Sequence, residues 1–172
     1  MEFSGSDYRL RGLAASDAPS IAKYANNRKI WRNLSSAFPH PYTEDDAVGW
    51  LGEVASGAFS EDVYAIEIEG EAVGIVGFKP MEFVYEKSLG LGYWLGEPFW
   101  GRGIMSEVVS KATAEIFQTR QVVRFQASVF GWNPASGRVL EKAGFRLEGR
   151  LRNAIYKDGE FTDELIYGKL RK

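Results

Sequence analysis

Cysteine is absent from the 172 residues, which excludes disulfides, thiolate metal sites and any acyl intermediate carried on a thiol. Histidine occurs once, at His40. A metal cage would therefore rest on carboxylates; no paired Asp/Glu spacing suggests one, and no metal is expected. There is no excess of positive charge, with 21 Lys+Arg against 23 Asp+Glu. Without a basic face to neutralise phosphates, a nucleic-acid partner is not expected. No apolar run approaches the roughly 20 residues that span a bilayer. The first residues lack the charged and apolar regions of a secretory signal. A cytoplasmic protein without a membrane partner is the expectation.

What is present is ordinary globular composition, with 45% hydrophobic and 26% charged residues, far from the signature of disorder. A chain of this length can bury about 70% of the surface its unfolded form exposes. One domain over residues 1–172 is the default expectation, and nothing in the sequence forbids a homodimer.

Local chemistry marks out the elements. Residues 8–13 read as a strand, after which Ser16 looks like a helix cap, with Asp17 and Pro19 in the first turn and an apolar stripe at Ile21, Ala22, Tyr24 and Ala25. That helix should fade at Asn26 and Asn27. Prolines at 39 and 41 make residues 38–42 a loop. Thr43 and Asp46 form a capping-box pattern before Ala47, Trp50, Leu51 and Val54, predicting a helix that ends near Gly57. Residues 63–69, 72–79 and 88–95 read as three antiparallel strands. From Gly103, Met105, Val108, Val109, Ala112 and Ile116 recur at helical spacing. Residues 123–129 alternate as a strand. Asn133 caps a helix with Pro134 first and Gly144 at its end, and residues 151–170 form a hairpin turning at Lys157, Asp158 and Gly159. The fold class expected is α+β, one domain around a central mixed, mostly antiparallel sheet flanked by helices.

The most informative stretch is GEPFWGRGIMSE, residues 96–107, where a strand ends and a helix begins. N–H groups at a helix start point outward and attract phosphate. Gly96 and Gly101 have P-loop glycine spacing, but Arg102 and Gly103 stand where Lys and Ser/Thr must bind phosphate and magnesium. Gly101, Gly103 and Ser106 approximate the dinucleotide fingerprint. They follow antiparallel strands, however, and the next strand ends Ser128-Val129-Phe130 without the ribose-binding acid.

Trp100-Gly101-Arg102-Gly103-Ile104-Met105, after Gly92-Tyr93-Trp94-Leu95, closely resembles the coenzyme-A loop of the GNAT superfamily of N-acetyltransferases, in its RimJ/RimL type. Trp100 stands at the opening position of the general Q/R-x-x-G-x-G/A motif, and Met105 departs from its last Gly/Ala. Asn133-Pro134-Ala135-Ser136 leading to Glu141-Lys142-Ala143-Gly144-Phe145, and residues 38–43 leading to Asp45-Asp46-Ala47, extend the resemblance over residues 10–170. The resemblance implies transfer of an acetyl group from acetyl-CoA to a primary amine, a protein N-terminus or a small molecule, by direct attack in a ternary complex. The alternative it allows is a regulatory CoA-binding module that has lost turnover. It places the pyrophosphate on the N–H groups of residues 102–106, Arg102, Gly103, Ile104, Met105 and Ser106, and pairs Leu95 and Gly96 with the pantetheine. Asn133 and Ser136 then face the thioester end, with Ser136 bonding to the departing sulfur.

Each residue also has a plain structural reading. Gly101 and Gly103 form turns, Asn133 caps a helix, and Arg102 offers its N–H with its side chain in solvent. The base is not carried over. Gly90 occupies one position where relatives have Glu, and Asn153-Ala154-Ile155-Tyr156 fills the other. His40, Glu86 or solvent remain. His40 has an intrinsic pKa near 6.5 and is a catalytic candidate with Ser136, although a histidine between prolines more often shapes a pocket.

Overall fold

A computed structural model of the chain describes residues 1–57 and 62–172. Its strands are β1 (Phe3–Ser4), β2 (Arg9–Gly12), β3 (Asp62–Ile68), β4 (Glu71–Pro80), β5 (Ser88–Leu95), β6 (Arg124–Phe130), β7 (Arg146–Lys157) and β8 (Glu160–Leu170). Its helices are α1 (Ala18–Ala25), α2 (Arg28–Trp31), α3 (Glu44–Ala55), α4 (Ile104–Thr119) and α5 (Pro134–Lys142). The residues group into two compact units, one of residues 1–78 with 93–104 and one of residues 79–92 with 105–172. The chain passes between them within β4, within β5 and at the first residue of α4.

In the first unit the strands are ordered β1-β2-β3-β4, all antiparallel, with Leu10 opposite Phe3 on one side and Ile66 on the other. One face of α1 supplies Ala18, Ile21 and Ala25 to a core completed by Tyr42, Ala47, Leu51, Ala65, Ala72 and Ile75. The expected capping box forms: the Asp46 N–H donates to Thr43 Oγ1 at 3.2 Å, and the Thr43 N–H donates to Asp46 Oδ2 at 2.8 Å. It is why α3 starts at Glu44.

Ser16 does not cap a helix. The chain enters α1 through a 3-10 turn, Ala15–Asp17, and the Asp17 carboxylate accepts the Ala14 N–H at 2.8 Å. The same carboxylate takes both arms of the Arg11 guanidinium, at 2.7 and 2.8 Å, while Arg11 Nε reaches Glu67 on β3. Two other elements escape the sequence pattern because they are too short for periodicity: β1, and α2, whose start is capped by Asn27 accepting the Lys29 N–H at 2.8 Å.

In the second unit the order is β5-β6-β8-β7. The β5 and β6 strands pair in parallel from Ser88↔Arg124 to Gly90↔Gln126, and the β6–β8 and β7–β8 pairs are antiparallel. The mixed, mostly antiparallel sheet is as expected. Val108, Val109, Ala112 and Ile116 of α4 are buried, and Phe117 meets Phe125 edge-on at 4.7 Å. The final hairpin is longer than expected, opening at Arg146. It turns through Asp158 and Gly159, whose φ values of +56° and +79° suit a two-residue hairpin loop.

Asp17 is 4% exposed, so its charge depends on Arg11. Burial pushes its carboxyl upward, but the guanidinium fork and the Ala14 N–H together outweigh this and hold it below the usual aspartate range. A carboxyl depressed in the folded state stabilises above its unfolded pKa of about 3.9, and loses that contribution as pH falls through the folded value. Arg11 keeps Glu67 as a partner, so Asp17→Ala should destabilise at pH 7 by about 1–3 kcal/mol. Thermal melts should show the gap from wild type narrowing as pH is lowered from 6 to 3.

Candidate active site

Gly101 and Gly103 have φ of +77° and +81°, and a Cβ built on either meets nothing within 4 Å. These two residues take conformations that favour glycine and border open space, immediately before Ile104 begins the 16-residue α4. The first N–H groups of any α-helix have no carbonyl within the helix to bond, and the helix start carries roughly half a positive charge. Residues 101–106 thus combine donors, a favourable field and room for a bulky anion to approach the backbone. Such a helix start is a cradle with the chemistry to receive an anion such as a pyrophosphate.

The stretch leading into the cradle is held from several sides within the first unit. The Trp100 indole donates to the Leu95 carbonyl at 2.6 Å, closing a loop around a short 3-10 turn, Glu97–Phe99. Asn27 donates to Glu97 at 2.7 Å and Lys29 pairs with the same carboxylate. The Lys29 ammonium, and after it the Asn27 amide, keep the Glu97 carboxyl below its ordinary range. The Phe99 ring packs edge-on against Tyr24 at 5.4 Å. Gly96 sits in tight quarters, because a Cβ there would lie 3.0 Å from the Tyr24 ring and 3.1 Å from the Val73 carbonyl.

The Gly96 N–H donates to the Val73 carbonyl at 2.7 Å and is engaged inside the sheet, so its expected pairing with pantetheine does not match this geometry. Successive residues of a strand turn their N–H and C=O groups to opposite sides. Leu95 therefore directs its backbone groups away from β4, and it is the better placed of the two. Arg102 also departs from expectation. Its guanidinium is not simply solvated; it bonds to Asp7 at 3.1 Å and lies over the Phe99 ring at 5.8 Å. Asp7, Ile68, Glu69, Phe99 and Arg102 line a cleft of about 500 Å³.

His40 is exposed and stacks on Trp31 with ring centres 5.4 Å apart, while Phe38 stacks on Tyr42 at 4.6 Å. In the second unit, Met105 is buried, so the departure from Gly/Ala at this position turns its side chain inward. Ser106 follows in the first turn of α4. Asn133 caps α5 by accepting the Ser136 N–H at 3.2 Å, which places the Ser136 hydroxyl in the first turn of a helix. Glu86 closes the turn after β4 and is exposed. Among the described residues no three His, Cys, Asp or Glu side chains are grouped to hold a metal, and no helix is long and apolar enough to cross a membrane. The supports of the loop, Asp7 on Arg102, Tyr24 on Phe99, and Asn27 and Lys29 on Glu97, carry no signal in the sequence because each is far along the chain from the residue it holds.

The arrangement is that of the GNAT acetyltransferase fold. The structure superposes on RimL, a ribosomal L7/L12 alpha-N-protein acetyltransferase in complex with coenzyme A, with a TM-score of 0.84, 23% identity, and 99% of this chain and 98% of that one covered. Residues 8–146 match the family model described as Acetyltransferase (GNAT) domain, and the chain belongs to that family. Curated relatives include the uncharacterized N-acetyltransferase YoaA of Bacillus subtilis (strain 168), 35% identical over 97 residues, covering 56% of this chain and 54% of that protein. A ribosomal-protein-serine acetyltransferase of Escherichia coli (strain K12) is 30% identical over 108 residues, covering 63% and 60%. The matched region thus spans a little over half the length of these two relatives.

The positive φ values generate a test independent of any ligand. Valine at position 101 or 103 should cost about 1–2 kcal/mol of left-handed strain and lower Tm by a few degrees. Valine at Gly12, which also borders open space but without a positive φ, should leave Tm within about a degree. Equal melting of all three variants would contradict the backbone conformation of the loop.

Proposed function

We propose that this protein transfers an acetyl group from acetyl-CoA to a primary amine, on a protein N-terminus or a small molecule, with residues 1–172 acting as one catalytic domain. The observation that carries the reading is the open, glycine-bearing cradle at the start of α4 in a chain of the acetyltransferase (GNAT) family. Acetyl-CoA supplies an acyl thioester already activated toward an amine. The residues suited to hold it are those at 102–106 through their backbone N–H groups, and Leu95 through the N–H it turns away from β4, its carbonyl being taken by the Trp100 indole.

The other steps fall to side chains. Ser136 is suited to bond to sulfur as negative charge develops there, an interaction stronger in the transition state than in the ground state. His40, stacked on Trp31 in an exposed loop, is suited to shape the acceptor side rather than to carry protons. The absence of a thiol and of a Gly-x-Ser-x-Gly nucleophile turn supports direct attack by the amine.

Acetyl-CoA at 100 times its Kd should stabilise the wild type by about 2.7 kcal/mol, read as a rise in Tm. Gly103→Val should remain folded and lose that rise, because its side chain occupies the approach to the backbone. Ser136→Ala should lower kcat at least tenfold while leaving the acetyl-CoA-induced rise intact, and His40→Gln should show a smaller loss without a change in the shape of the pH profile. Unchanged kcat in Ser136→Ala contradicts its role at sulfur. Intact mass after incubation with acetyl-CoA alone should show no stoichiometric acetyl adduct.

A further inference from the structure

The second unit supplies a carboxylate that the sequence pattern does not point to. On β6, Phe125 packs against Phe117 of α4, and on β8 the Lys169 ammonium reaches Thr113 of α4 at 2.7 Å. These contacts fix which face of the sheet α4 covers. By strand alternation Gln126 and Ser128 of β6, and Glu164 of β8, lie on the opposite face. There the Ser128 hydroxyl donates to Glu164 Oε1.

Two features single out this carboxylate. The first is its place at the end of the parallel pairing. Pairing of β5 with β6 stops at Gly90↔Gln126, and Leu91 and Gly92 of the same unit already lie outside it. Ser128 is the next residue of β6 on that face, and it is exposed. The second is that, among the described residues, it has no cationic partner. Of its acidic neighbours on the same hairpin, Glu148 is held by Arg124 and Asp163 by Arg150, whereas the partner of Glu164 is a neutral hydroxyl. Register fixes its backbone opposite Phe130 on one side and Leu151 on the other, so a rigid three-stranded ladder positions it. A bulge in β7, with Asn153 at φ +50° and its N–H on Asp163 at 2.9 Å, takes residues 152–154 out of the ladder beside it.

We propose that Glu164 is the general base of the transfer, with Ser128 as its positioning residue; this rests on the acetyl-transfer reading above. The carboxylate accepts a hydrogen bond from the acceptor ammonium and takes its excess proton, directly or through one water, passing it to solvent. The freed lone pair forms the C–N bond to the acetyl carbon and the C–S bond breaks with its electrons on sulfur. A second proton leaves the amine nitrogen along the same path, and the sulfur is protonated from solvent through Ser136. The products are the amide, the CoA thiol and one released proton. This assigns the proton transfer to a carboxylate, which neither Gly90 nor residues 153–156 supply.

Thiol release from acetyl-CoA is measured from pH 6 to 10 with a panel of amines: peptides beginning with Ser or Ala, free lysine, spermidine and kanamycin. Glu164→Gln, which keeps the hydrogen bond from Ser128, should lower kcat/KM for the amine about 10²–10⁴-fold at pH 7. It should recover as pH rises and the amine loses its proton in solution, while the acetyl-CoA-induced rise in Tm is unchanged. Glu164→Asp should restore a substantial part of the rate. A Glu164→Gln rate within twofold of wild type at pH 7, or a loss that is the same at every pH, overturns the assignment and leaves acetyl transfer standing. A wild type that binds acetyl-CoA but acetylates none of these amines overturns the transfer reading, and the assignment with it.

Discussion

An α-helix leaves its first N–H groups without carbonyl partners inside the helix, and where the chain enters that helix through small, left-handed residues those groups face outward with space in front of them. In this protein the entry is Gly101 and Gly103, and the helix is α4. The candidate chemistry depends on that constraint. A side chain at either glycine would strain the backbone and fill the approach.

The loop keeps its shape because neighbouring elements hold it by contacts of different kinds. The Trp100 indole fixes one end on a strand carbonyl, Glu97 is gripped by Asn27 and Lys29, and Phe99 lies against Tyr24 with the Arg102 guanidinium above its ring. Each exposed ion pair alone is worth little in water. Together they act on four residues of one six-residue stretch, 97–102, and the short helix α2, which adds almost no core, finds its purpose in presenting Asn27 and Lys29.

Features governed by chemistry within three or four residues could be read from the sequence. The Thr43 and Asp46 box, the Asn133 cap, the Asp158-Gly159 turn and the glycines before α4 are of this kind, and with them most of the fold is legible. Features set by strand register could not be read. Asp17 meets Arg11 across an entry turn, where the local pattern predicts a cap at Ser16. Arg102 meets Asp7 from 95 residues away, and Ser128 meets Glu164 from 36 residues away, on a neighbouring strand. Nothing in a periodic pattern distinguishes Glu164 from Glu148 or Asp163; only their partners do.

The central claim, that backbone N–H groups at the start of α4 hold the pyrophosphate of a CoA thioester, is tested most directly by following the amide resonances of residues 102–106 in a ¹H–¹⁵N spectrum during titration with CoA. The account predicts saturable shifts of these amides, larger than those elsewhere in α4. CoA that binds while leaving these amides unmoved would contradict it.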